Sequence, residues 1–218
     1  MAVFCLVDCD CFYVSAERLF DPTLIGVPVV ALSNSDGCVV SRCPIAKSKD
    51  SSAGGLGIKM GAPFFEIKHL MKSHGLRVVS SNYALYQEVS NRVMRVLETF
   101  APRIEVYSID ESWLDFTGVQ GDLEKLGREI QVAVKKKTGI GVGVGFGPTK
   151  TLAKAANFSA KKWRKETGGV VVLMDAERRD KLLKWMPVDE IWGIGRKLSA
   201  SLQAMGVHKA IDLARYDR

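Results

Sequence analysis

The chain has 218 residues, 47% apolar and 25% charged, with a formal net charge of +7, the proportions of a soluble globular protein of one or two domains with room for a full core. No apolar run approaches the ~20 residues needed to cross a bilayer. The charge is uneven: residues 1–146 hold 16 Lys/Arg against 16 Asp/Glu, whereas residues 147–218 hold 15 against 8, so the basic segment suggests a polyanion such as nucleic acid, the plain alternative being a solvated basic face.

Residues 2–9 read as a buried strand ending in Asp8-x-Asp10 and running into Phe12 and Tyr13. The two carboxylates interrupt the apolar start, which therefore reads as a core strand and not a signal peptide. A buried strand that ends in carboxylates puts charge where burial is expensive, and a cation is the usual compensation. Oxygen ligands without a nearby His suit Mg²⁺. The five cysteines, Cys5, Cys9, Cys11, Cys38 and Cys43, contain no C-x₂-C pair, which argues against zinc. Cys5, Cys9 and Cys11 share strand parity and read as small apolar packing residues in a reducing cytoplasm.

Phe12–Leu19 reads as a helix, with Asp10 placed to cap it or to support the site. Pro28–Ser33 and Gly37–Ser41 read as paired strands about a Ser35-Asp36-Gly37 turn. Residues 49–55 are small, polar and Gly-rich, the composition of a flexible loop. A helix is expected from near Pro63, with His69 and His74 solvated. A strand follows over Arg77–Ser81, then a long amphipathic helix over Tyr83–Phe100 with Val89, Val93, Val96, Leu97 and Phe100 as its core stripe.

In residues 105–116 two β-prone runs flank Asp110–Glu111, as in a β-hairpin or a kinked strand. Neighbouring side chains of a regular strand face opposite ways, so a shared site requires a bend. An ordinary charged turn fits this stretch equally. With Asp8, three carboxylates from two neighbouring strands suit two-metal phosphoryl displacement. Leu123–Lys137 reads as a helix. Ile140–Gly147 alternates with glycine but matches neither G-x-x-x-x-G-K-[ST] nor G-x-G-x-x-G, and reads as a strand packed closely on a helix. In the helix expected over Lys150–Lys165, Lys150, Lys154, Lys161 and Lys165 recur near helical spacing, as a solvated face or as phosphate contacts. Gly168-Gly169 marks a boundary. Pro187–Gly206 resembles a helix-hairpin-helix, whose Gly193-Ile194-Gly195 turn would bring backbone amides to a DNA phosphate with Arg196 and Lys197 beside it. A helical packing unit without a ligand is the alternative.

Val7-Asp8-Cys9-Asp10-Cys11-Phe12-Tyr13 and Ser108-Ile109-Asp110-Glu111-Ser112 resemble the two catalytic motifs of Y-family translesion DNA polymerases. The segments 32–40, 57–61, 80–83, 149–154 and 192–195 look like those of UmuC-like members, the catalytic subunits of DNA polymerase V, over about the N-terminal half of such a protein. The resemblance implies an α+β fold: a palm over residues 1–11 and 82–168 with a mixed or antiparallel sheet backed by helices, small fingers over 12–81, and a partial thumb over 169–218 containing the helix-hairpin-helix. It implies that Asp8, Asp110, Glu111 and the Cys9 backbone carbonyl hold two Mg²⁺. Phe12 and the steric gate Tyr13, with Ser41, Lys47 and Lys161, would bind the nucleotide. The substrates would be primer-template DNA and deoxynucleoside triphosphates, and the role translesion synthesis in the cytoplasmic SOS response. A UmuD-type subunit and a recombinase filament are implied partners, with no membrane. Two departures stand out: Pro44 replaces a frequent aromatic, and residues 49–55 look like an insertion, expected to be tolerated. The little finger and the sliding-clamp contacts are expected to be absent. Two other readings remain: a non-catalytic remnant that binds DNA or a partner subunit, and a nucleotide cyclase, against which Tyr13 and the helix-hairpin-helix argue.

Overall fold

The computed structural model describes residues 1–216; Asp217 and Arg218, the last residues of the expected thumb, lie outside the described residues. In chain order the elements are β1 (Phe4–Cys9), α1 (Phe12–Phe20), β2 (Val29–Leu32), β3 (Val39–Arg42), α2 (Pro44–Lys47), α3 (Phe64–Ile67), α4 (His69–His74), β4 (Arg77–Ser80) and α5 (Tyr83–Leu97). There follow β5 (Arg103–Val106), β6 (Glu111–Asp115), α6 (Leu123–Thr138), β7 (Val142–Gly147), α7 (Lys150–Lys162), α8 (Arg164–Thr167), β8 (Val170–Val172), α9 (Ala176–Trp185), α10 (Arg196–Ala204) and α11 (Ala210–Ala214). They form two compact units, one of residues 1–8, 97–133 and 142–218, the other of residues 9–96 and 134–141.

The first unit is built on a sheet of order β5-β6-β1-β7-β8. β6 pairs antiparallel with both β5 and β1, while β8 pairs parallel with β7. The acidic stretch is therefore a hairpin: the amides of Tyr107 and Ser108 both donate to the Glu111 carbonyl, at 3.0 and 3.1 Å. In β7, alternation of the glycines with Val142, Val144 and Phe146 divides the two faces. A Cβ at Gly127 of α6 would lie 2.6 Å from Val170 and 3.1 Å from Phe146, so α6 also needs a glycine to seat on its face. On the other face α7 comes closer still. A Cβ at Gly145 would fall 2.2 Å from the Asn157 amide nitrogen, and one at Gly147 would fall 2.6 Å from that of Ala153.

The expectation of a glycine strand under a helix holds, and it explains the buried small residues Ala153, Ala156 and Ala160 of α7. The Asn157 side chain straps the layers together, donating to the Gly143 carbonyl at 2.8 Å and the Leu6 carbonyl at 3.2 Å. Helix 150–165 is not continuous. It stops at Lys162 because Trp163 leaves helical geometry (φ −113°, ψ 49°), and α8 is a separate short turn. Beyond β8, Leu182, Met186 and Ala210 bury against Ala155, Ala156 and Leu173, and the Ala210 amide donates to the Met186 carbonyl at 2.8 Å.

The second unit holds a smaller sheet, β3-β2-β4, with β2 antiparallel to β3 and parallel to β4. All four residues of β2 are buried in a core shared with Val14, Leu24, Ile58, Ile67 and Leu76. In α5 the expected stripe Val89, Val93, Val96 and Leu97 is buried, with Phe100 half-buried beyond the helix end. α1 is entered through Cys11, which adopts left-handed backbone angles (φ 46°, ψ 48°) as the N-cap. Cys11, not Asp10, is thus the N-cap residue of α1, and its side chain makes no capping bond. Residues 49–55 form a capped turn instead of the expected flexible loop: the Asp50 carboxylate accepts from the Ser52 amide at 3.0 Å, and the Gly57 amide donates to the Ser48 carbonyl at 2.6 Å. That fold-back ends α2 after a single turn at Lys47.

Because Gly145 meets backbone atoms that cannot swing aside, Gly145→Ala should cost about 3 kcal/mol by overpacking. Urea unfolding should show this as a lower midpoint at unchanged slope.

Candidate active site

In the register of β1 and β6, Asp8 stands opposite Glu111, two positions along from the pair Leu6–Trp113. The period of two puts all four side chains on one face, the face that buries Leu6 and Trp113 with Ala153 of α7. Lys154 and Lys161, about two turns apart on one side of α7, pair with these acids. Lys154 Nζ bonds Glu111 Oε1 and Lys161 Nζ bonds Asp8 Oδ1. The side chains of Asp8 and Glu111 are only 17% and 14% exposed.

Burial is the main force on the Asp8 carboxyl, pushing its pKa up to about 7. Lys161 opposes the shift, and Glu111 adds to it as a facing acid. Two poorly hydrated carboxylates face each other, each balanced by one lysine. This hard-oxygen pair fits a divalent cation of the Mg²⁺ type better than a soft one.

Asp110 does not join the pair. It sits in the hairpin turn, where its carboxylate accepts from the Ser108 hydroxyl at 2.7 Å. Among the described residues no group of three or more His, Cys, Asp or Glu is close enough to hold one metal ion. Cys9 closes β1 and is buried.

In the other unit, Phe12 and Tyr13 open α1. Phe12 is buried. Tyr13 stacks on Tyr86 with centroids 4.2 Å apart and planes at 11°, and meets the edge of Tyr83 at 6.2 Å. Tyr86 is fully buried, and its hydroxyl donates to Glu17 at 2.8 Å. Burial and that neighbouring carboxylate push the Tyr86 phenol well above its ordinary range. The Tyr13 ring thus rests on a rigid aromatic wall. Ser41 is buried in β3, whereas Lys47 is exposed at the end of α2.

In the first unit, Gly193 adopts φ 92° and Gly195 N-caps α10 without any side-chain cap. Among the described residues nothing lies within 4 Å of a Cβ built at either glycine. Among the described residues the turn is open above, and Gly195 offers the first-turn amides of α10 no side-chain acceptor. Arg196 and Lys197 lie beside it, exposed.

The order and span of these features match a known family. Residues 7–157 match the impB/mucB/samB family, and residues 177–207 match the IMS family HHH motif. The chain belongs to the impB/mucB/samB family. It is 48% identical to Protein UmuC of Salmonella typhimurium over 214 residues, covering 97% of this chain and 49% of that protein. It is 33% identical to DNA polymerase IV of Moorella thermoacetica over 218 residues, 97% of this chain and 51% of that protein. The insertion ternary complex of Dbh DNA polymerase superposes with a TM-score of 0.81 at 29% identity, covering 99% of this chain and 61% of that one. Membership accounts for the α+β architecture with its helix-hairpin-helix. The chain spans about half the length of the curated family relatives it matches.

Two residues of the site escaped sequence reasoning. Lys154 read as part of a basic face, although its two-turn spacing from Lys161 carried the signal. Tyr86 read as one more residue of an amphipathic helix, and nothing local marked it as the partner of Tyr13.

The Asp8 pKa has a defined sign. A carboxyl whose folded-state pKa is raised binds its proton more tightly when folded, so it lowers stability as pH rises from about 4 towards and through about 7. Asp8→Asn should therefore gain on the parent by about 1–2 kcal/mol between pH 5 and pH 8. Thermal melts of both proteins across that range should show the parent falling more steeply.

Proposed function

We propose that this chain is the palm, fingers and part of the thumb of a Y-family translesion DNA polymerase, extending a primer from deoxynucleoside triphosphates opposite damaged template bases. The observation that carries this reading is the pair of opposed, half-buried carboxylates, Asp8 and Glu111, on the adjacent strands of a family-matched sheet. In this reading the palm comprises residues 1–11 and 82–168, the fingers 12–81, and the thumb begins at 169. Asp8, Asp110, Glu111 and the Cys9 carbonyl would hold two Mg²⁺, which supply charge neutralisation and a more acidic primer 3′-hydroxyl.

The chain's own groups do the rest by positioning. Lys154 and Lys161 hold the carboxylates in place while the site is empty of substrate. Lys161, once freed from Asp8, turns to the triphosphate, with Ser41, Lys47 and the amides of Phe12 and Tyr13 as further contacts. Tyr13, backed by Tyr86, fills the space a ribose 2′-hydroxyl needs and so selects deoxynucleotides. The Gly193–Gly195 turn, with Arg196 and Lys197, grips a duplex phosphate and positions DNA without reading its sequence. The SOS response, a UmuD-type subunit and a recombinase filament belong to this reading as the setting and partners of the whole protein.

A second reading has one observation in its favour. Both acids are paired with lysines and Asp110 stands apart from them, as in a chain that binds DNA without incorporating nucleotides.

Single-nucleotide primer extension at low salt with Mg²⁺ separates the two. The parent chain should incorporate, and Asp110→Ala/Glu111→Ala should lose about 10²-fold or more in rate, the scale of a lost electrostatic contribution to the transition state. DNA binding without incorporation by the parent would select the second reading. In the same assay Tyr13→Ala should lower discrimination against ribonucleotides by about tenfold or more, while a retained preference would remove Tyr13 as the gate.

A further inference from the structure

The helix-hairpin-helix turn is in ring contact with the acidic hairpin. Trp192, just before Gly193, lies 5.7 Å from Tyr107 at 85° and 5.5 Å from Trp113 at 46°, centroid to centroid. Its Nε1 donates to the Tyr107 hydroxyl at 3.3 Å. Tyr107 and Trp113 complete the triangle at 6.2 Å. Two lysines of α7 stand over these rings: Lys150 Nζ is 5.5 Å from the Trp113 centroid and Lys154 Nζ is 5.7 Å from that of Tyr107. Lys154 is also the ion-pair partner of Glu111.

The same ammonium group therefore feels two attractions, the Glu111 carboxylate and the Tyr107 ring face. It can shift its weight from the carboxylate to the ring face. Tyr107 is 47% exposed and Trp192 37% exposed, so both rings have room to turn, whereas Trp113 beneath them is 2% exposed. The Trp113 Nε1 is buried and, among the described residues, has no hydrogen-bond acceptor. An unmet buried N–H is a cost to the arrangement. Trp192 is joined through one peptide bond to Gly193, whose backbone must settle if a phosphate docks at the open turn. Tyr107 is tied at the other end, its amide bonded to the Glu111 carbonyl at 3.0 Å.

We propose that Trp192 is a positioning residue that couples docking of a duplex phosphate at the Gly193–Gly195 turn to release of Glu111 from Lys154, through the Tyr107 ring. The coupling rests on the polymerase reading above. A phosphate at the turn moves Trp192, Tyr107 follows, and Lys154 shifts toward the ring face. Glu111 is then free to take a divalent cation. The site would be primed only when a duplex is in the grip of the turn.

Linkage supplies the test, because a coupling of this kind makes DNA tighten cation binding by the factor with which the cation tightens DNA binding. The probe is Mn²⁺, its binding measured by electron paramagnetic resonance with and without a saturating primer-template duplex. In the parent, DNA should tighten Mn²⁺ binding about fivefold or more. Trp192→Ala should reduce that factor to about twofold or less, with Mn²⁺ affinity in the absence of DNA unchanged, and Tyr107→Ala should reduce the factor to the same extent. Trp192→Phe, which keeps the ring contact, should retain it. Tyr107 is a surface residue, so its variant carries the test if Trp192→Ala does not fold. Undiminished tightening in the alanine variants would overturn the coupling and leave the polymerase reading standing. A loss of Mn²⁺ affinity already present without DNA would overturn it as well, since Trp192 would then only shape the site. A parent chain that binds neither Mn²⁺ nor duplex would remove the polymerase reading and the coupling together.

Discussion

The approach of α7 to β7 is the constraint on which the candidate site depends. Both cations that face the carboxylates, Lys154 and Lys161, are on this helix. They reach Glu111 and Asp8 because the helix lies directly on the strand, at a distance that leaves no room for a Cβ at Gly145. Small residues on both sides make the contact possible, and the Asn157 side chain locks it with bonds to β7 and β1. A helix held off by one methyl layer would leave two carboxylates with low exposure and no counter-charge, an arrangement far costlier than the glycine entropy spent in β7.

Charge and packing are thus two sides of one arrangement. The sheet orients Asp8 and Glu111 toward the helix through strand register, since a one-residue slip of either strand would turn its acid to the opposite face. The helix then supplies positive charge from two residues about two turns apart on one side. Burial still dominates at Asp8, whose pKa rises to about 7 despite Lys161. The other unit solves a different problem with aromatic packing: Tyr13 is held by the buried Tyr86, itself anchored through Glu17. In both units a residue of functional interest is held by a partner remote in sequence.

Local signals in the sequence carried much of the architecture. The amphipathic period of α5 and α6, the alternating glycines of β7 and the β-prone runs around Asp110–Glu111 each announce an element whose side chains mostly interact with near neighbours or with a generic apolar core. Two expectations failed where backbone geometry competed with composition. Residues 49–55 have linker composition, yet Asp50 and Ser48 find backbone amides within a few residues and close a capped turn. Asp10 was expected to cap α1 or to support the site, and the left-handed turn at Cys11 moves the N-cap position one residue along. The run of lysines in α7 was legible as basic and helical, but its division into site residues and bystanders was not.

The sequence by itself determined the family, the α+β class, the two acidic motifs and the identity of nearly every candidate residue, because these rest on residue type and short spacing. It could not determine which charges meet. That Lys154 serves Glu111, that Lys161 serves Asp8, that Asp110 stays with Ser108 in the turn, and that Trp192 rests on Tyr107 all follow from pairings across 43, 153, 2 and 85 positions. Three of the four are long-range contacts, set by sheet register and by how near a helix can lie to a strand, and those are properties of the packed molecule.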